Sequence, residues 1–213
     1  MAIPIRFRFG AVTIGASAVL FTAFPLVRPF FHLDPLEPVA TLAGASSAIT
    51  SAPWVLAHFL ATVAFVLLLC GLPVLYARLA QGEAEPRVWG ALVASLAGIA
   101  LVMPTLGVET YALPAVGRAY RAGAVDIAPV IGFIYIGPAT WVMLVGLSLL
   151  AIGAIRFAAA IWRSHTLPRW AGVILAAGLV FWLPLLPQPI RIADGFLIGI
   201  GGVWLAANLW KSA

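Results

Sequence analysis

Long apolar runs alternate along the chain with short breaks rich in proline, glycine or charge. About 20 apolar residues cross a bilayer as one helix. Six runs reach or approach that length: residues 9–31, 54–79, 88–108, 129–158, 170–186 and 190–210. Only Pro187, Gln188 and Pro189 separate the last two, which predicts a tight return. Arg6 and Arg8 precede the first run, as in a signal peptide. That run is long, however, and AFPLVRPFF at its end is no small-residue cleavage site, so the pattern predicts a span. Residues 33–53 hold Ser46, Ser47, Thr50 and Ser51 and read as a polar loop or a short interfacial helix. The expected fold is all-α: a single membrane domain over residues 1–213, built as a bundle of six transmembrane helices.

Composition excludes the alternatives. Of the 213 residues, 63% are hydrophobic and 9% charged, with a mean hydropathy of +1.10. Soluble domains carry about 45–50% apolar and about 25% charged residues. Too few charges are present to coat a globule, and disorder is excluded for the same reason. The net charge of +5 comes from eleven arginines and Lys211 against seven acids. In a soluble chain such an excess suggests nucleic acid; in this one it reads as topology, and no nucleic-acid partner is expected.

With six crossings, one set of connections holds Arg6, Arg8, Arg78, Arg87, Arg156, Arg163, Arg169 and Lys211, eight of the twelve basic residues. The other holds Arg28, Arg118, Arg121 and Arg191, with five of the seven acids. The bias places both termini in the cytoplasm. Trp89, Trp162, Trp170 and Trp210 would then form an inner aromatic belt, with Trp54 at the outer one. Cys70, the single cysteine, lies in an apolar run and reads as a small hydrophobe. No phosphate-binding glycine motif occurs, and no soluble module is expected.

Small residues, among them Gly90, Gly98, Gly146, Gly153, Gly199 and Gly202, predict close helix packing. The third and fifth spans open alike, on Pro86-Arg87-Val88-Trp89-Gly90 and Pro168-Arg169-Trp170-Ala171-Gly172. This echo fits either a duplicated hairpin or a generic span start.

Candidate chemistry gathers on the outer side. His58 falls about one turn inside the second span and Glu109 at the outer end of the third. Ionisable groups at membrane depth are costly and face the bundle interior. A His and a carboxylate there are the pair that acid–base chemistry uses, and Asp194 is a further candidate. Either group also fits an interfacial, hydrated role or a plain mutual hydrogen bond. Arg28, Arg118, Arg121 and Arg191, with Tyr111, are candidate ligand contacts. Outer arginines suit a phosphate or other anion, or else pair with the outer acids; Arg191 and Asp194, three apart, look like a ready pair. His32, His58 and Glu109 are weak metal candidates, without the spacing of a known metal motif. No cofactor is specified. Pro104, Pro138 and Pro184 interrupt spans and are expected to kink them.

A mid-membrane lysine for retinal, an arginine series for voltage sensing and mid-span acids for proton pumping are all missing from the sequence. The stretch Thr166–Gly172 and the run from Ala57-His58 to Leu75-Tyr76-Ala77-Arg78 resemble small multi-pass bacterial membrane proteins of unknown function. The Arg-over-Lys and Ala/Gly-rich usage resembles a high-GC bacterial genome. The resemblance implies a bacterial inner membrane and brings no catalytic residue. Three classes remain: a module that binds or transports a small or lipidic ligand in an outward cavity, a small intramembrane acid–base enzyme of isomerase or cyclase type, and an accessory subunit buried among other membrane chains. The lipid bilayer is the expected partner in each.

Overall fold

A computed structural model of the chain describes residues 5–31, 38–80, 85–135, 137–183 and 186–211. Within them the chain is helical, with no strand: α1 (Ile5–Val27), α2 (Pro38–Ile49), α3 (Ala52–Leu79), α4 (Glu85–Gly107), a π-helical turn (Val108–Ala112), α5 (Leu113–Arg121), α6 (Ala128–Tyr135), α7 (Pro138–Ser164), α8 (Arg169–Phe181) and α9 (Gln188–Lys211). His32, Asp34, Glu37 and Pro184 lie outside the described residues.

Five helical stretches are long and apolar enough to cross a membrane: Ile5–Val27, Ala52–Leu79, Pro86–Arg121, Ala128–Ser164 and Gln188–Lys211. They fit a multi-pass membrane protein. The fifth expected span, residues 170–186, is shorter than anticipated. α8 has 13 residues, about 20 Å at 1.5 Å per residue. The prolines at 184, 187 and 189 disfavour helix at the residues before them, so α8 stops at Phe181 rather than reaching 186. Pro29 acts in the same way on α1, which ends at Val27 rather than 31. The expected fourth span is broken: Gly137 caps α7 and Pro138 occupies its first turn, so α6 is a separate short helix.

The long helices and α8 pack in a closed ring. α1 contacts α3, α3 contacts α4, α4 contacts α7, α7 contacts α8, α8 contacts α9, and α9 returns to α1. Phe21, Phe65, Leu75, Leu150 and Ile198 fill its centre. α2, α5 and the Ile127–Tyr135 segment form a cap with a small core of its own, in which Ile49, Trp54, Leu113, Ile127 and Ile131 are buried. Of the two readings of residues 33–53, loop or short helix, the helix is found: α2, which packs on α5.

Glycines set the closest approaches. A Cβ at Gly98 would lie 2.5 Å from the Leu150 amide nitrogen and 2.6 Å from the Gly146 carbonyl oxygen, so α4 and α7 meet backbone to backbone. Hydroxyls tie other pairs: Ser17 donates to the Ala64 carbonyl at 2.8 Å, and Thr22 to the Gly195 carbonyl at 2.9 Å. α4 and α8 share their opening residues but not their lengths. Cys70 is exposed on α3. His165 ends α7 in the left-handed conformation, with φ of 53°, and contacts Arg169.

Substituting Gly98→Leu is expected to destabilise the protein by at least ~1–3 kcal/mol, because neither backbone neighbour can yield. Gly44→Ala, on the exposed face of α2 with open space around it, is expected to stabilise by up to ~1 kcal/mol. Denaturant unfolding in detergent checks both signs.

Candidate functional site

The site forms where α4 changes register. In the π-helical turn, the Leu113 amide bonds to the Val108 carbonyl, five residues back. In that register the Glu109 carbonyl faces position 114, a proline with no N–H to give. Another helix supplies the donor: Trp54 Nε1 donates to the Glu109 carbonyl at 2.8 Å. Trp54 is held in turn by the start of α3, where Ser51 Oγ accepts from its amide. It is fully buried, which corrects its expected place in an outer aromatic belt; its indole N–H finds an acceptor inside the protein. Trp89, Trp162, Trp170 and Trp210 are exposed, as an interfacial belt requires.

One turn along α3, His58 Nδ1 lies 2.8 Å from the Trp54 carbonyl. A carbonyl only accepts, so the proton is on Nδ1. Nε2 then faces Glu109 Oε2 at 3.2 Å, off the line of a hydrogen bond. The other carboxylate oxygen, Oε1, accepts from the Tyr135 hydroxyl at 2.8 Å. Both His58 and Glu109 are buried, at 3% and 6% exposure. A bare Nε2 lone pair against a bare carboxylate at this distance is repulsive. One proton held by the pair, as imidazolium with carboxylate or as imidazole with carboxylic acid, would remove that repulsion and leave the pair neutral.

Two guanidiniums complete the site. Arg28 lies 4.7 Å from the Trp54 ring centroid and 5.0 Å from that of Phe30. Arg191 lies 5.3 Å from Phe24 and 5.7 Å from Phe30. Phe30 is thus shared by both cations. Arg28 Nε is buried without a hydrogen-bond partner among the described residues. A cavity of about 30 Å³, room for a water molecule or two, is lined by Arg28, His58, Glu109 and Arg191 on its polar side, with Phe24, Met143 and Trp182 among its apolar walls. Two guanidiniums against a single carboxylate leave these four lining groups with a net positive charge.

The structure brings Arg28, His58, Glu109 and Arg191 together. Asp194 is buried on α9 close enough to feel the charge of Arg191, but it does not line the cavity, and its Oδ1 has no hydrogen-bond partner among the described residues. Tyr111 is 68% exposed. Arg118 and Arg121 are exposed on α5, where Arg121 reaches Thr50 Oγ1 at 3.4 Å. Among the described residues, no three His, Cys, Asp or Glu cluster as metal ligands. Tyr135 and Trp54 are the site residues that sequence reasoning missed. Tyr135 stands just before the Gly137-Pro138 break, and that break was its only signal. Comparison with protein-family models, curated proteins and solved structures finds no match to this chain.

Trp54→Phe keeps an aromatic ring of smaller volume but strips the Glu109 carbonyl of its donor. The expected cost is ~1–3 kcal/mol, read as a lower unfolding midpoint in detergent, whereas an exposed control, Trp170→Phe, is expected to move it little.

Proposed function

We propose that this chain is a six-span protein of a bacterial cytoplasmic membrane, with both termini inside, whose outward cavity binds the anionic head of a small or lipidic ligand. The observation that carries this reading is the pair of guanidiniums on Phe30, one with a buried Nε that has no partner among the described residues, beside the single carboxylate of Glu109. A buried guanidinium in so apolar a chain needs compensating charge or hydrogen bonds, and for Arg28 an anion would supply both. The cavity holds a water molecule or two, so only part of an anionic group would enter it and the rest of the ligand would lie outside. The eight-to-four bias of basic residues supports the orientation. A sixth crossing at α8 is compatible with its length, because Trp182 and Leu183 continue as irregular backbone packed on the core. Irregular backbone is tolerated at membrane depth when covered by protein.

The centre of the ring supports binding over transport. The packing there is apolar, with a second cavity of about 20 Å³ lined by groups such as Leu68, Leu72, Leu150 and Leu179, with Ser95 as its polar contribution. A second reading, acid–base catalysis inside the membrane, is favoured by one specific feature: His58 and Glu109 hold a proton at the cavity wall, with Tyr135 on the far carboxylate oxygen. Arg28 would then hold the substrate's charge, and His58 and Glu109 would exchange the proton. The structure offers Asp194 no such position.

Titrating purified protein with inorganic phosphate, sulfate and acetate, followed by thermal unfolding, tests the binding reading. At least one anion is expected to raise the unfolding temperature saturably, and Arg28→Gln to weaken it by roughly 10-fold or more, the loss of one charge-assisted contact. Equal response in wild type and Arg28→Gln, or none in wild type, would contradict it. If His58→Gln leaves anion binding intact, the ligand contact and the proton pair have separate roles, as the second reading requires.

A further inference from the structure

The opposite end of the α4 helix carries a second positive site. α4 rises about 1.5 Å per residue, so Arg87 stands roughly 33 Å from Glu109 along it. There the first turn of α4 and the last turns of α7 enclose a cleft of about 460 Å³. Arg87, Arg156 and Arg163 line it, above an apolar floor that includes Leu79, Val88 and Ala160. Among the described residues none of the three arginines has a hydrogen bond or ion pair to an acid. Gly90 sets the geometry: a Cβ there would lie 2.7 Å from Arg156 Nη1, so the missing side chain is what lets this guanidinium lie against α4.

We propose that this cleft binds the phosphodiester head of an anionic phospholipid, with its acyl chains along the apolar floor. Three features fit this occupant together. Guanidiniums from two helices converge, which suits the several oxygens of a phosphate. Exposed Trp89 and Trp162 stand beside cleft residues, and such side chains gather at headgroup depth. An apolar floor below a basic rim matches a molecule charged at one end. Basic pockets between spanning helices are where anionic headgroups bind. A water-soluble anion would use the rim alone and have no use for the floor.

The test uses the full chain in a mild detergent and in nanodiscs. Lipid retention is compared for phosphatidylglycerol and phosphatidylcholine of matched chains, with inorganic phosphate as competitor. Phosphatidylglycerol is expected to be retained preferentially. Arg163→Gln, at an exposed position, is expected to cut that preference about fivefold, the effect of one arginine at a membrane surface. Gly90→Leu, which displaces Arg156, is expected to cut it similarly, with both variants checked for the wild-type unfolding midpoint. Should Gly90→Leu fail to fold, Arg156→Gln replaces it. Equal retention of the two lipids, unchanged preference in both variants, or full displacement by inorganic phosphate at concentrations comparable to the lipid would each overturn the proposal; the last would mark a free-anion site.

Discussion

The hydrogen bond from Trp54 Nε1 to the Glu109 carbonyl joins the helix ring to the cap above it. In a chain this apolar, backbone groups must be satisfied by the protein itself. Pro114 withholds the donor that the π-helical register would otherwise bring to Glu109, and one buried indole makes up the loss. The consequences extend in both directions. The same Trp54 offers its carbonyl to His58 and its ring face to Arg28. One residue therefore positions the imidazole, the carboxylate and one guanidinium of the cavity.

Charge follows from that geometry. With Nδ1 committed to a carbonyl, His58 meets Glu109 through Nε2, where a shared proton would offset the carboxylate's charge. The carboxylate would then not neutralise the two arginines in the way a count of formal charges suggests. Aromatic rings take up part of the cost, Phe30 for both cations, and the cavity stays electropositive. A buried imidazole, carboxylate and phenol adjoin one another beside the paired guanidiniums.

Much of this was legible in the sequence, but unevenly. Apolar run lengths predict the helical class and, of six expected spans, five appear as helices long enough to cross a membrane, while the glycines predict the close contacts of α4 with α7. The depth of His58 and Glu109 predicts that they face inward. Other features depend on residues whose effect is not periodic. Prolines at 184, 187 and 189 shorten α8, and Gly137-Pro138 splits the fourth run. Pro114 creates the vacancy that draws Trp54 inward, and no hydropathy pattern signals a tryptophan leaving the interface for a carbonyl acceptor. Tyr135 escaped notice because it lies within an apolar run. Arg87, Arg156 and Arg163 read along the chain as topology signals; only the packing of α4 on α7 shows that they line one cleft.

The account rests most heavily on the protonation of His58. Nitrogen-15 NMR of histidine-labelled protein, with His58 assigned by its loss in His58→Gln, reads it directly. The expected spectrum has the proton on Nδ1, with an Nε2 signal that shifts in Glu109→Gln. An unprotonated Nδ1, or an Nε2 signal indifferent to Glu109, would contradict the shared-proton pair.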